Sequence, residues 1–374
     1  MSRARTLLGK VRTLANRGGG NTKVKRLREQ LKRRDREISE LRARLDGNVS
    51  TASPPVFFVI GRAKSGTSWL MRLLDVHPEI LCKGEGRFFG RDFIREEFMK
   101  PDQKRIQPSS LYRAFLEADY LKAWIQRSVW SRGDDPEEHL KELTRVATDH
   151  FLTRRLAKTG KRIVGDKTPL LGTEIVREMH EIYPEARVIH IIRDGRDAAV
   201  SMTHHMWNHA QDREGVYNLK PEELKRRESF LKSYEQPTGT RERLFTDKDL
   251  RDSATGWRNQ IQKSREYGRT LFGDGYAEVR YEDLLERPNE EAERLLRFLG
   301  ADASADTVKE CVRAASFETW TKGRRRGEED PSSFFRKGVA GDWRNVFTEE
   351  DKDVFKEVAG DLLVDLGYEK DRDW

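Results

Sequence analysis

The apolar residues of this chain follow two patterns, and the change between them falls at Pro55. Before it, Val24, Leu27, Leu31, Ile38, Leu41 and Leu45 recur at alternating intervals of three and four, with Arg34 where another apolar residue would continue the series. This heptad seam of about three repeats predicts a helix over residues 22–45. Two readings of it stay open: a short coiled coil that self-associates, or a solvated single helix, since so short a seam is marginal on its own. After Pro55 the apolar residues cluster instead in short continuous runs, VFFVI (56–60), EILC (79–82), RIVGD (162–166), RVIHIIR (187–193) and AEVRY (277–281). Runs of that length without alternation predict strands buried on both faces. Between them TSWLMRLLDVHP, ended by Pro78, and the stretches 137–158 and 171–182 read as helices. Strands of this type alternating with helices predict an α/β fold, three layers of α/β/α around a central parallel sheet. Residues 203–255 interrupt the alternation with charged sequence and helical pieces such as PEELKRRESFLKSY. They are expected as an insertion over the sheet edge, either part of an acceptor-binding lid or a solvated excursion.

Charge sharpens this division. The net charge is +8, but residues 1–47 hold 15 Lys/Arg against 5 Asp/Glu, so the arm carries +10 and the rest of the chain −2. The expected organisation is a basic helical arm (1–47), a linker (48–55) and one domain (56–374). A third reading of the arm, suggested by its charge, is contact with an anionic membrane surface or nucleic acid, although no nucleic-acid partner is expected. No apolar run approaches the ~20 residues of a membrane-spanning helix, and the N-terminus lacks the apolar core and cleavage site of a secretory signal. The two cysteines, Cys82 and Cys311, are far apart without metal-ligand spacing. That usage fits a reducing, cytoplasmic setting.

The first strand runs into GRAKSGTSW (61–69) and then a helix. Backbone N–H groups at such a helix N-terminus bind anions without any side chain, helped by the helix dipole. Gly61, Gly66 and Ser68 match the triphosphate-binding pattern G-x-x-x-x-G-K-[ST], but Thr67 stands in the lysine's place and Lys64 lies inside the loop. With no evident carboxylate strand for a metal, the loop suits a shorter anion than a metal-bound triphosphate.

GRAKSGTSWL (61–70) resembles the 5′-phosphosulfate loop of sulfotransferases that use 3′-phosphoadenosine 5′-phosphosulfate (PAPS). IIRDGRDAAVS (191–201) is similar to the family's 3′-phosphate strand-loop-helix, VRYEDLLERP (279–288) to its next strand and turn, and RKGVAGDWRN (336–345) to its late R-K-G-x-x-G-D-W-[KR]-N segment. These run in the family's order from residue 57 to about 347, and the arm lies outside them. The resemblance implies a P-loop-like fold and a PAPS-dependent transfer that releases 3′,5′-ADP and needs no metal. It assigns Arg62, Lys64, Ser65, Gly66, Thr67 and Ser68 to the phosphosulfate and Trp69 to the adenine. Arg193 and Ser201 would hold the 3′-phosphate, with Arg336, Lys337 and the Gly338 amide closing that site. The plainer alternatives are Arg193 paired with Asp194 or Asp197 at the surface, and Trp69 as a core residue.

The base is set by a departure from the commonest pattern. Many members place a histidine in K-[ST]-H-x-P, but GDKTPLL (165–171) keeps Lys167 and Thr168 and has Pro169 instead. A second branch, including heparan-type carbohydrate sulfotransferases, uses a glutamate on the second strand followed closely by Phe-Phe. CKGEGRFFG (82–90) and KTP (167–169) resemble that branch. The resemblance therefore implies Glu85 as base, Lys64 at the leaving group, Lys167 as a second cation, and a carbohydrate or glycolipid hydroxyl as acceptor. A Glu85 merely paired with Lys83 or Arg87 is the alternative.

In THHMWNH (203–209), His204 and His205 are reserve bases. His205 and His209 have i, i+4 spacing that can hold zinc, yet no third ligand is evident. GRRRGEED (323–330) is either a lid or a solvated charge run. The family's dimer motif K-x-x-x-T-V-x-x-x-E is not reproduced, since Ala303 and Val312 flank Thr307-Val308. The rival readings are a P-loop nucleotide or small-molecule kinase and a non-catalytic scaffold whose working part is the arm.

Overall fold

A computed structural model describes residues 54–90, 110–170, 172–208, 219–233, 236, 242–330, 333 and 335–374, together with the backbone of 209–212. The heptad arm, with its predicted self-association, and the linker up to residue 53 lie outside the described residues.

Five strands, β1 (Val56–Arg62), β2 (Ile80–Gly84), β3 (Ile163–Leu170), β4 (Arg187–Ile192) and β5 (Tyr276–Arg280), form one sheet in the order β2-β3-β1-β4-β5. All neighbouring pairs are parallel. Along β1, Phe58 and Ile60 enter one apolar cluster and Phe57 and Val59 the other, so both faces are covered. That period-2 division is why VFFVI tolerates no polar residue.

On one face lie α1 (Thr67–Asp75) and α10 (Pro288–Leu299), burying Leu70, Leu73, Leu74, Leu295 and Leu296. Between β2 and β3 the chain forms α2 (Leu111–Leu116), α3 (Asp119–Arg127) and α4 (Pro136–Leu156), and α5 (Ile175–Ile182) follows β3. Tyr112, Leu152, Leu156, Val176 and Met179 from this group cover the opposite face. The fold is therefore the expected α/β/α sandwich.

The described part of 203–255 contributes to the buried core. It supplies the latter part of α6 (Gly195–Asp212), α7 (Pro221–Ser233) and the first part of α8 (Asp247–Tyr267). Trp207, Phe230, Leu250 and Ala254 are buried against Ile192, Trp257 and Phe355, the last on α13 (Glu349–Asp365). The polar composition misleads because each helix turns only a narrow stripe inward. The remaining helices, α9 (Tyr281–Glu286), α11 (Ala305–Ala314) and α12 (Phe317–Trp320), lead towards the late RKG segment.

β1 sits between β3 and β4, while its own successor β2 lies beyond β3. This reversal of strand order opens a crevice beyond the carboxyl end of β1, the preferred ligand position in open α/β sheets.

Candidate active site

The crevice is a cavity of about 340 Å³ whose floor is the 61–69 loop. Ser65 N donates to Arg62 O at 3.0 Å, and Gly66 caps α1 with φ +92°. A Cβ on Gly66 would lie 2.5 Å from Tyr281 Cδ2, and one on Gly61 2.6 Å from Ile191 O. The glycines are thus needed for the loop to lie against β4 and Tyr281. Lys64 adopts φ +71°, a region that lysine rarely occupies. Burial, reinforced by Arg193 and Arg336, lowers its ammonium to about 8. A cation held where two other cations already stand is poised for an anion.

The far end is assembled from long-range contacts. Arg193 follows β4, and its Nη1 donates to Lys64 O and its Nη2 to Val339 O, both at 3.0 Å. Its guanidinium lies 4.4 Å from the Tyr281 ring centre, and Nε is buried without a partner. Arg193 therefore ties the loop to the late segment and does not form a surface pair. Asp194 instead binds Arg196 through Nε and Nη2, the latter at 2.7 Å. Asp197 accepts from Gly341 N at 2.7 Å and Trp343 N at 2.9 Å, which pins the late segment to the start of α6. Its Oδ2 lies 3.6 Å from Arg193 Nη2.

Arg336 and Lys337 line the cavity within a four-charge cluster. Arg336 binds Glu329 at 2.5 Å and also binds Asp342, while Lys337 Nζ lies 2.9 Å from Glu329 and 3.0 Å from Asp342. Burial alone would raise Asp342, but the two cations hold its carboxyl down at about 2. Glu329 belongs to the GRRRGEED segment, so that charge run is engaged with the cavity. Gly338 has φ +66°, and a Cβ there would meet the Phe317 ring at 2.5 Å.

At the mouth between β2 and β3, Lys167 Nζ donates to Glu85 Oε1 at 2.5 Å. The Lys167 side chain is only 5% exposed and that of Glu85 60%, so the cation is fixed and the carboxylate faces solvent. Lys83 pairs with Asp75 at 2.5 Å instead of Glu85. Glu85 itself has φ +60°. Pro169 lies opposite Gly61 in β3 and lines the cavity without a backbone N–H to offer.

The structure brings together Lys64, Gly66, Thr67, Ser68, Trp69, Glu85, Lys167, Arg193, Ser201, Arg336, Lys337 and Gly338 around one cavity. Two of the expected residues lie elsewhere. Arg62 turns its guanidinium to α8, donating to Gln260 Oε1 at 2.9 Å, and Ser65 is fully buried with an unpartnered Oγ. Of the histidines, His205 lines the cavity with Ser201, one helical turn before it. His204 packs on Trp207 and Phe230, and burial lowers it to about 4, which leaves it neutral. No cluster of three metal-ligating side chains occurs among the described residues. The side chain of His209 lies outside them.

Trp69 lines the cavity while donating Nε1 to Ala315 O at 3.0 Å, so it has both an anchored edge and an accessible face. Tyr281 and Phe317, not expected from the sequence, line the cavity beside it, as do Trp320 and Phe335. Tyr281 was within reach, because an aromatic directly after a buried strand and inside VRYEDLLERP calls for a role. Phe317 carries no local signal.

The family profile described as sulfotransferase domain matches residues 54–367. The nodulation protein NoeE of Sinorhizobium fredii is 26% identical over 323 residues, 85% of this chain and 67% of that protein. Sulfotransferase 1B1 of Canis lupus familiaris is 26% identical over 195 residues, 47% of this chain and 56% of that protein. The chain thus spans about two thirds of the first relative and little more than half of the second. Among solved structures, mouse sulfotransferase SULT7A1 complexed with PAP aligns with 83% of this chain and 86% of its own, at 17% identity and a TM-score of 0.45.

Proposed function

The chain belongs to the sulfotransferase family as a PAPS-dependent enzyme, and from that premise we propose that it sulfates a hydroxyl of a carbohydrate or glycolipid with Glu85 as general base. The observation that carries this reading is the Glu85–Lys167 pair, 2.5 Å apart in the same cavity as the Gly66 cradle, Lys64 and Arg193. The residues suit PAPS: the start of α1 presents backbone amides to a phosphate, and Lys64, Arg193, Arg336 and Lys337 bring four cations to the same cavity.

When bound, PAPS supplies the sulfuryl group and departs as 3′,5′-ADP. Glu85 takes the acceptor's proton on its carboxylate, and Lys167 fixes that carboxylate and keeps positive charge beside the reacting centre. Lys64 supplies the cation for the oxygen that gains charge at the leaving phosphate. Arg193 and Ser201, with Arg336, Lys337 and the Gly338 amide, hold the 3′-phosphate. Trp69 offers a stacking face to the base.

Cys82 and Cys311 are both buried thiols, in keeping with a reducing, cytoplasmic setting. Among the described residues no helix is long and apolar enough to cross a membrane. Contact of the basic arm with a membrane surface, and self-association through residues 22–45, belong to the same proposal and rest on sequence alone.

The test is transfer of labelled sulfate from PAPS to a panel of oligosaccharide, glycolipid and small phenolic acceptors. Glu85→Gln is expected to lower kcat by ~10²-fold or more while 3′,5′-ADP still raises the melting temperature. Near wild-type turnover would remove Glu85 as base, and transfer confined to the phenols would overturn the acceptor class. A larger thermal shift from ADP or ATP than from 3′,5′-ADP would favour a kinase, and equal shifts would remove the 3′-phosphate site.

A further inference from the structure

Residues 85–87 form an improbable piece of backbone: Glu85 has φ +60° and Arg87 φ +53°. Two non-glycine residues in the left-handed region do not persist unless the surroundings fix them. Glu85 N donates to Lys167 O at 2.8 Å, extending the β2–β3 pairing by one residue. The next amide leaves the ladder altogether. Gly86 N donates to the side chain of Asp166, with Oδ1 at 3.0 Å, while Asp166 Oδ2 accepts the Thr168 hydroxyl at 2.8 Å.

We propose that Asp166 is a positioning residue for the transfer reaction: buried in β3, between β2 and β1, it clamps the Gly86 amide and so holds the Glu85 carboxylate on Lys167. The proposal rests on the reading of Glu85 as base. Asp166 is 3% exposed and stands opposite Phe58 on β1 and Lys83 on β2, deep in the sheet. A carboxylate placed there is costly without partners that use both oxygens. Burial duly pushes it up to about 6, against the hydrogen bonds from Thr168 and Gly86. The sequence has left space for the contact: a Cβ on residue 86 would lie 2.8 Å from Asp166 Oδ1 and 2.5 Å from the Phe88 ring. Gly84 does the same for the partner cation, since its Cβ would lie 2.8 Å from Lys167 Cε. Glycines on both sides of Glu85 thus admit the two side chains that hold it.

Asp166 touches the turn and not the reacting atoms, so its effect must pass through Glu85. Asp166→Ala is expected to lower kcat by ~10²-fold while the dissociation constant of 3′,5′-ADP stays within about twofold. Asp166→Asn keeps an oxygen for Gly86 N and should retain activity within about tenfold. The double variant Asp166→Ala/Glu85→Gln should be no slower than Glu85→Gln alone, because the clamp has nothing left to position. Multiplying losses in the double variant, or an Asp166→Ala enzyme within about twofold of wild-type kcat, would overturn the proposal. If Asp166→Ala does not fold, Gly86→Ala displaces the same contact and carries the same expectations. An active Glu85→Gln enzyme would instead remove the base reading itself.

Discussion

The two ends of the cavity, taken as the proposed anion sites, are built by different physical means. At the loop end the donors are backbone amides at the start of α1, and the cation Lys64 is drawn from the same nine residues. At the far end the donors are long side chains from different parts of the chain. Arg193 follows β4, and Arg336 and Lys337 come from the late segment, with Asp197, Glu329 and Asp342 set against them. Amides cannot be neutralised by a neighbour, so the loop end binds by shape and dipole. The far end is nearly charge-balanced, so its affinity is a difference between a phosphate and the carboxylates already present.

Four experiments probe that contrast. The largest effect is expected from Lys64→Ala, which should lower kcat by ~10²–10³-fold in steady-state assays. A loss under about tenfold would mean that the amides alone stabilise the leaving group.

Arg193→Ala should weaken 3′,5′-ADP by ~30-fold, in line with losing charge-assisted hydrogen bonds worth ~2 kcal/mol. It should also bring the thermal shift of 3′,5′-ADP down to that of ADP. If ADP weakens equally in calorimetry, Arg193 shapes the loop through Lys64 O rather than reading the 3′-phosphate.

The third experiment is pH dependence. Lys64 is lowered to about 8 from the ordinary 10.5, so its charge is lost as pH rises from 7 to 9. Affinity for 3′,5′-ADP should fall by up to ~10-fold over that range in wild type and stay flat in Lys64→Met. Stability moves the other way. The cost of burying this cation is fully present below about 8 and is relieved as pH climbs towards 10.5, where the unfolded chain alone holds the proton. A pH-independent affinity in wild type would remove Lys64 from the anion site.

The smallest change is expected from Glu329→Gln. It takes one carboxylate from the far-end cluster and should tighten 3′,5′-ADP by about threefold, read by calorimetry. Weaker binding would show that Glu329 holds Arg336 and Lys337 in place instead of competing for them.

The residues that sequence could read are those whose roles depend on near neighbours. VFFVI followed by GRAKSGTSW encodes strand, anion loop and helix within about fifteen residues, because strand burial, glycine turns and helix N-termini are local physics. Arg193 is named from its place at a strand's end, whereas Glu85 and Lys167 are named only through the family resemblance of CKGEGRFFG and KTP, and none of the three carries its distance from the others. Three things were fixed only by tertiary structure. Residues 203–255 look solvated, and their narrow apolar stripes gain meaning only when α6, α7, α8 and α13 close around Trp257 and Phe355. Arg62 and Arg193 look alike at the carboxyl ends of their strands, yet one turns to Gln260 and the other bridges Lys64 and Val339. Asp166 reads as one more acid before a lysine until parallel pairing of β2 with β3 brings Gly86 against it. Periodicity determines which face of an element is buried, whereas hydrogen-bond partners 80 or more residues apart are set by strand order and the packing of distant elements.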